Sequence, residues 1–143
     1  RLLAPEPPSP TWSLERSISA EDFFVGMFET ALNENEIISE VKFPIPEKAS
    51  YIKFPNPASR YAMVGVFMAK NANGISVAIT GAGENGVFRC SEIENVLNSN
   101  FSTESIENID ISPDGLNSDI HASAAYRANL IKEMAKRAVL EMV

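Results

Sequence analysis

The chain has 143 residues, enough for one domain with a hydrophobic core but few for two. Its 12 basic and 19 acidic residues give a net charge of -7 without a dense Lys/Arg block, which argues against a nucleic-acid surface and against general attraction to anionic membranes. No apolar run approaches the roughly 18 residues that a membrane span needs. The single cysteine, Cys90, allows no internal disulfide, so we expect a cytoplasmic protein.

The N-terminal part predicts an extended arm followed by a helix. Four prolines in residues 1–12 exclude a helix or a central strand, and the segment begins without Met and is not a signal peptide. We therefore expect an arm in a fragment of a longer chain. Ser19 and Asp22 predict a helix start that resembles a capping box. The apolar residues that follow have helical spacing and are interpreted as core: Phe23, Phe24, Met27 and Phe28.

A strand is predicted for EIISEVKFP, residues 36–44, because its residues alternate with a period of two. One face would carry Ile37, Val41 and Phe43, and the opposite face Ile38, Glu40 and Lys42. Prolines in FPIP end the strand. We interpret the segment as a connection, with one structural unit ending near residue 46 and the next beginning near Tyr51.

The sequence from Tyr51 to residue 89 predicts an antiparallel sheet. Tyr51–Phe54 is a short strand before a PNP turn, and residues 61–80 form a long hairpin. Asn73-Gly74 is the predicted turn of this hairpin, since both residues tolerate positive φ. The glycine-rich turn GAGENG then leads into an edge strand at residues 87–89.

Helical periodicity replaces strand alternation after Ser91. A short helix around Ile93 and a second at residues 102–106 are predicted before a long helix in SAAYRANLIKEMAKRAVLEMV. The apolar stripe of the long helix repeats at four-residue steps: Tyr126, Leu130, Met134, Ala138 and Met142. The order of elements predicts an α+β fold, with an antiparallel sheet of three to four strands packed against a layer of about three helices.

No catalytic or metal-binding constellation is recognisable from residue spacing. Cys90 and His121 lie far apart, so we interpret them as a small hydrophobe and a loop residue; a Cys/His pair brought together in space remains the alternative. GAGENG has neither GxGxxG spacing nor a following GK[ST] and is interpreted as a hairpin turn. Arg127 opposes the dipole of the last helix, and we expect Asp119 or a loop carbonyl to hold it.

Four pieces of the sequence, taken in order, resemble a known family. They are RSISAEDFFVGMFETALNENEIISEVKFP, YIKFPNPASRYAMVGVFMA, the GAGENG turn with its following helix, and SDIHASAAYRANLIKEMAKRAV. Over residues 17–143 they resemble the C-terminal part of the FAD-binding medium subunit of molybdenum hydroxylases, the relatives of carbon monoxide dehydrogenase, xanthine dehydrogenase and aldehyde oxidase. The resemblance implies the arm and the tail of the FAD-binding domain in residues 1–46, and the flavoprotein C-terminal domain in residues 47–143.

The same resemblance implies two cofactor-binding residues. In this family a lysine matching Lys53 lies at the flavin, as does an apolar residue matching Ile38. An ammonium group there would stabilise negative charge that develops on reduction, and Ile38 would give apolar contact to the ring. Without the resemblance, Lys53 would be interpreted as an ordinary charge on an edge strand. The family's glycine-rich pyrophosphate loops belong to the N-terminal portion and have no counterpart in this sequence, so we expect one wall of the FAD site and no catalytic residue.

The predicted function is that of a C-terminal fragment of a flavoprotein subunit that relays electrons from iron-sulfur clusters to an acceptor. The resemblance implies two partners, a large molybdopterin subunit and a small iron-sulfur subunit, and the fragment alone is expected to be inactive. The alternative is a non-catalytic α+β interaction module with no flavin role. A small independent hydrolase is disfavoured because the sequence offers no recognisable nucleophile and base pair.

Overall fold

The computed structural model describes residues 15–26 and 28–143. The arm predicted for residues 1–12 and the helical position predicted for Met27 lie outside these residues. The chain divides into two compact units, one ending at Ser39 and the other spanning Glu40–Val143.

The first unit contains a single helical turn and a small hairpin. Helix α1 (Ala20–Phe23) begins where the Ser19 hydroxyl accepts a hydrogen bond from the Asp22 amide at 3.2 Å, so the predicted helix start is confirmed. Strands β1 (Phe24–Gly26) and β2 (Glu29–Thr30) follow and pair antiparallel. Arg16 binds Glu36 through two hydrogen bonds of 2.6 and 3.0 Å, which lower the pKa of that carboxyl to about 2.

The helix predicted beyond Phe23 is wrong. Phe24 already has extended backbone angles, and Val25 and Gly26 continue as a strand. Phe24 is 72% exposed and Phe28, which has a positive φ of 61°, is fully exposed, so these residues are not core. A helix this short is marginal without a surface to pack on, and a β-branched residue followed by glycine further disfavours its extension.

The strand predicted for residues 36–44 is also absent. The backbone from 36 to 46 has no regular structure, and its large apolar side chains are exposed: Ile37, Ile38, Val41, Phe43 and Ile45. A strand exists only when its backbone groups pair with a neighbour, and no strand of the described residues pairs with this segment. The alternation of residue types therefore indicated that the segment favours an extended backbone. It could not indicate whether a neighbouring strand pairs with the segment.

The second unit is built on a four-stranded antiparallel sheet. Its strands are β3 (Lys48–Pro55), β4 (Ala62–Asn71), β5 (Gly74–Gly83) and β6 (Gly86–Arg89), and each pairs with the next along the chain. The hairpin predicted for residues 61–80 is confirmed, but its turn is Ala72-Asn73, one residue earlier than predicted. Gly74, whose φ is 121°, begins β5 opposite Asn71. Among the described residues β3 and β6 are the two edges of this sheet, so residues on β3 have one neighbouring strand, β4.

Three helices cover one face of the sheet: α2 (Ser91–Ser99), α3 (Thr103–Glu107) and α4 (Ala124–Met142). Helix α4 packs on β3 and β4, and α2 packs on β5. Ile131 and Met134 of α4 are fully buried against the sheet; a side chain of this size contributes roughly 1.5–3 kcal/mol by burial. The predicted α+β fold is thus confirmed. Within the described part of the chain, no helix has the length and apolar character that crossing a membrane requires.

Candidate functional site

Lys53 lies on the edge strand β3 and belongs to the face of the sheet that the helices leave uncovered. Ser50, Ile52 and Phe54 alternate with it along β3; Ser50 is buried, and Ile52 and Phe54 pack against the core. Strand alternation therefore directs Tyr51 and Lys53 to the opposite face. Lys53 is exposed, and its ammonium group donates a hydrogen bond to the carbonyl oxygen of Arg60 at 3.0 Å. The two remaining N–H groups of the ammonium are available to another acceptor.

The loop between β3 and β4 fixes the carbonyl group that Lys53 binds. The side-chain oxygen of Asn56 accepts hydrogen bonds from the amides of Ala58 and Ser59 at 2.9 and 3.3 Å. The backbone of Asn56 also exchanges hydrogen bonds with the loop, donating to Tyr61 and accepting from Arg60. Arg60 has a positive φ of 64°, the conformation that closes the loop. The position of the Lys53 ammonium is thus set by a well-bonded loop.

A second polar feature lies beside Lys53 on the uncovered face. Gly65 of β4 is directly opposite Lys53 in the ladder, and Thr80 of β5 is opposite Gly65. The Tyr51 hydroxyl reaches across Gly65 to the Thr80 hydroxyl, at 3.1 Å. Sequence reasoning did not identify this group. The signal available was a glycine within a buried apolar strand, which often marks a close approach of another group.

Ile38 belongs to the unit that ends at Ser39, whereas Lys53 belongs to the unit that begins at Glu40. Its side chain is 54% exposed within the irregular segment described above. An isoleucine this exposed leaves apolar surface that a planar ring could cover. The role in cofactor binding remains a prediction for both residues.

Arg127 is buried and connects three parts of the second unit. Its guanidinium donates hydrogen bonds to the carbonyl oxygens of Met63 at 2.6 Å and Gly81 at 3.3 Å, and to the Asp119 carboxylate at 2.7 Å. Of the two predicted partners, Asp119 is confirmed, whereas the carbonyl groups that bind Arg127 belong to strands β4 and β5 and not to a loop. The Nε atom is buried without a hydrogen-bond partner among the described residues. Arg127 therefore holds the start of β4, the end of β5 and the loop before α4 together.

Two other polar residues in SDIHASAAYR, Asp119 and Ser123, have local structural roles. Asp119 accepts hydrogen bonds from the amides of His121 and Ala122, and these bonds together with the charge of Arg127 lower the pKa of its carboxyl. Ser123 caps α4 by accepting from the Tyr126 amide at 3.2 Å. This segment therefore builds the helix start and the Arg127 contact, and none of these bonds requires a ligand.

The structure gives Cys90 and His121 no shared chemistry. Cys90 is buried ahead of α2, and burial raises the pKa of its thiol to about 11, so the thiol stays protonated near neutral pH. His121 is exposed in the loop before α4 and lines a different pocket from Cys90. The interpretation of Cys90 as a small hydrophobe and of His121 as a loop residue fits these positions.

The glycines of the GAGENG segment surround the turn between β5 and β6, as predicted: residues 81–83 end β5, Glu84 and Asn85 form the turn, and Gly86 begins β6. Gly81 and Gly86 have positive φ angles of 74° and 99°, which glycine adopts without strain. The amide of Glu84 donates to the carbonyl of Gly115 at 3.0 Å, so this backbone donor is already used within the fold. In the portion of the chain that the structure covers, no three His, Cys, Asp or Glu residues group in a way that suits a metal ion.

Comparison with characterised proteins identifies relatives among medium subunits of oxidoreductases. The chain is 32% identical over 136 residues to the nicotine 6-hydroxylase medium subunit of Paenarthrobacter nicotinovorans, covering 88% of this chain and 48% of the relative. It is 29% identical over 140 residues to the glyceraldehyde dehydrogenase medium chain of Sulfolobus acidocaldarius, covering 89% and 49%. It is 26% identical over 135 residues to the carbon monoxide dehydrogenase medium chain of Hydrogenophaga pseudoflava, covering 87% and 47%.

The chain spans about half the length of these curated relatives. No protein-family model matches it, and no solved structure matches it. The three relatives are all medium subunits, and the match with each extends over nearly nine-tenths of this chain. The resemblance stated from the ordered sequence pieces is thereby confirmed: over most of its length the chain is similar to medium subunits of the molybdenum hydroxylases and carbon monoxide dehydrogenases.

Proposed function

We propose that this chain is the C-terminal part of the FAD-binding medium subunit of a molybdenum-containing hydroxylase or dehydrogenase. Residues 1–46 would be the arm and the tail of the FAD-binding domain, and residues 47–143 the C-terminal domain. The subunit would receive electrons from iron-sulfur clusters and pass them to an acceptor, in a cytoplasmic complex with a large molybdopterin subunit and a small iron-sulfur subunit. The observation that carries the proposal is the match to three medium subunits along almost the whole chain.

The position of Lys53 supports a contact with the flavin. Its ammonium group is exposed on the uncovered face of the sheet and has one hydrogen bond, to Arg60. A cation with spare N–H donors suits the carbonyl oxygens of the flavin ring, or its phosphates, and would stabilise negative charge there. Ile38, half-exposed in its own unit, would supply apolar contact. FAD, when bound, supplies the redox chemistry that links the electron donor to the acceptor.

The described residues fit one wall of a FAD site and not a whole site. Their glycine-rich turn is used to connect β5 and β6, and a pyrophosphate would need amide donors of the kind found at a helix start after a glycine-rich loop. We therefore propose that most of the affinity for FAD resides outside this chain, and that the isolated chain is inactive.

Flavin titration tests this proposal. FAD binding would be measured for this chain alone and for the full-length polypeptide that carries this sequence, each with and without Lys53→Ala. Lys132→Ala is the matched control, because it removes the same charge from α4 on the helical side of the sheet. A hydrogen bond to a charged group contributes roughly 1.5–3 kcal/mol, so Lys53→Ala should weaken FAD binding by roughly 10- to 150-fold.

The same titration examines the apolar contact through Ile38→Ala, with Ile45→Ala as its control. Both residues lie in the irregular segment and both are exposed, so their substitution should have little effect on the stability of the fold. We expect a loss of affinity for the Ile38 variant only. If Lys53→Ala and its control Lys132→Ala both bind FAD as tightly as the unchanged protein, Lys53 is an ordinary edge-strand charge.

The alternative function is a non-catalytic interaction module. The acidic net charge and the lack of a pyrophosphate loop in the sequence are compatible with it. A full-length polypeptide that binds no flavin at all would favour the interaction module and would refute the proposed role. The substrate of the complex would be chosen by the molybdenum subunit.

A further inference from the structure

The side chain of Tyr51 lies across the neighbouring strand instead of pointing freely into solvent. Its hydroxyl forms a hydrogen bond of 3.1 Å with Thr80, two strands away, and its phenol end covers Gly65 on the strand between them. The residue is nevertheless 48% exposed, so part of the ring remains open on the uncovered face. Tyr51 is thus anchored at its tip and accessible.

Gly65 makes this arrangement possible. A Cβ atom at Gly65 would lie 2.9 Å from Cζ of Tyr51 and closer still to the hydroxyl oxygens of Tyr51 and Thr80. Real Cβ atoms do not approach other atoms so closely, so any larger residue would displace the ring. The glycine is costly within a strand, because it leaves side-chain packing unused. The tyrosine fills the space that the glycine leaves.

Covering a glycine with an aromatic ring is also a known way to stabilise a sheet. That role accounts for a ring at residue 51, but a phenylalanine would serve equally well. It does not account for the hydroxyl anchor, which holds an exposed ring in one orientation. The two hydroxyl groups share one hydrogen bond, which leaves one O–H donor for a further acceptor.

Lys53 and Tyr51 share this face at positions two residues apart on β3. Their backbones are therefore separated by roughly 7 Å along the strand. A planar group the size of a flavin ring that receives a hydrogen bond from Lys53 would reach the anchored ring of Tyr51. An aromatic ring with fixed orientation binds such a group at a low cost in side-chain entropy.

We propose that Tyr51 is a flavin-binding residue whose exposed ring face stacks on the planar ring of the cofactor, and that Thr80 is a positioning residue acting through the Tyr51 hydroxyl. This inference rests on the proposed function, since it assumes that Lys53 lies at the flavin. With Tyr51 included, the proposed wall of the flavin site consists of the Lys53 ammonium and the Tyr51 ring, both on β3.

The test uses the full-length polypeptide with Tyr51→Phe, Tyr51→Leu, Thr80→Val and Lys53→Ala, and Tyr61→Phe as the control at an exposed tyrosine. The readouts are the affinity for FAD and the fluorescence of the bound flavin. A tyrosine stacked on a flavin quenches its fluorescence by electron transfer, and phenylalanine is a far poorer donor. Folding is checked by the thermal midpoint of each variant.

Tyr51→Phe should keep the fold and raise the fluorescence of bound FAD severalfold, a change that a purely structural ring would not produce. Tyr51→Leu should weaken FAD binding by roughly five- to 150-fold, as expected for the loss of one stacking contact. Thr80→Val should raise the fluorescence to a smaller extent, because the ring is no longer anchored. Tyr61→Phe should leave both readouts unchanged.

Two results would overturn the inference in different ways. If Lys53→Ala weakens FAD binding while Tyr51→Phe and Tyr51→Leu match the control, Tyr51 only covers Gly65 and the proposed function stands without it. If the unchanged polypeptide binds no FAD, the proposed function and this inference both fail. Should Tyr51→Leu not fold, the fluorescence of Tyr51→Phe still decides between stacking and a structural role.

Discussion

Removing the guanidinium of Arg127 should destabilise the second unit strongly. Arg127→Met keeps an unbranched side chain of similar length but loses every donor. Arg127 is 4% exposed, and its shortest hydrogen bond, 2.6 Å to the Met63 carbonyl, is fully buried. A hydrogen bond to a charged group contributes roughly 1.5–3 kcal/mol. In the ion pair with Asp119 the carboxylate is 44% exposed, so the pair adds only roughly 0.2–1 kcal/mol to the free energy of unfolding.

The expected loss is therefore roughly 2–4 kcal/mol in the free energy of unfolding. Domains of this size are stable by roughly 5–15 kcal/mol in total, so the change should lower the thermal midpoint by roughly 10 to 20 °C. Arg137→Met is the matched control, because it makes the same substitution on an exposed position of α4. The control should change stability by at most roughly 0.5 kcal/mol.

Urea unfolding followed by circular dichroism measures both variants. The dependence of the free energy of unfolding on urea concentration should be the same for both variants. The urea concentration at the midpoint should fall for Arg127→Met only. An equal midpoint for the two variants would refute the reasoning, because it would mean that the buried carbonyl groups lose nothing when the guanidinium is removed. Arg127→Lys should lie between them, since a single ammonium cannot reach three acceptors in the geometry of the planar guanidinium.

Three further predictions concern other positions. Gly65→Ala should lower the free energy of unfolding by roughly 1–3 kcal/mol in urea melts, because its Cβ displaces the Tyr51 and Thr80 hydroxyls; a variant as stable as the original would show that the ring moves aside freely. Asp119→Asn should destabilise at pH 7. The pKa of Asp119 is lowered in the folded state, so its contribution to the free energy of unfolding is present above the unfolded pKa near 3.8 and is lost as pH falls through the folded pKa. In urea melts, the difference in stability between Asp119→Asn and the original protein should therefore shrink at acidic pH. A difference that stays constant with pH would contradict this. Cys90 should react slowly with a thiol reagent at pH 8 and rapidly in denaturant, since burial raises the pKa of its thiol to about 11; fast reaction of the folded protein would show the thiol to be accessible.

The elements of the second unit were largely predictable because each has its own local signal. The Asn73-Gly74 signal located the hairpin turn to within one residue: the turn is Ala72-Asn73, and the positive φ is at Gly74, the first residue of β5. The four-residue steps of the last helix correspond to buried Leu130 and Met134 on α4. These signals are local in the chain, and the elements they predict find their partners within the same unit.

The first 46 residues were predicted less well for a physical reason. Phe24 and Phe28 have helical spacing, yet they are exposed within a hairpin, Phe24 on β1 and Phe28 in the turn before β2. The segment around Val41 alternates like a strand, yet nothing among the described residues pairs with it. Periodicity measures which backbone a residue pattern favours, whereas a short helix or a strand forms only when a packing surface or a pairing edge is present.

For the candidate site, the sequence by itself determined the resemblance to medium subunits, through the order of its motifs, and that resemblance singled out Lys53 and Ile38 as predicted flavin contacts. It also predicted that Arg127 needs an acidic or carbonyl partner. Only the tertiary structure decided that Tyr51 reaches over Gly65 to Thr80, because that contact depends on the register of three strands. Register is set by non-local pairing, and a shift of one residue would turn every side chain of a strand to the other face.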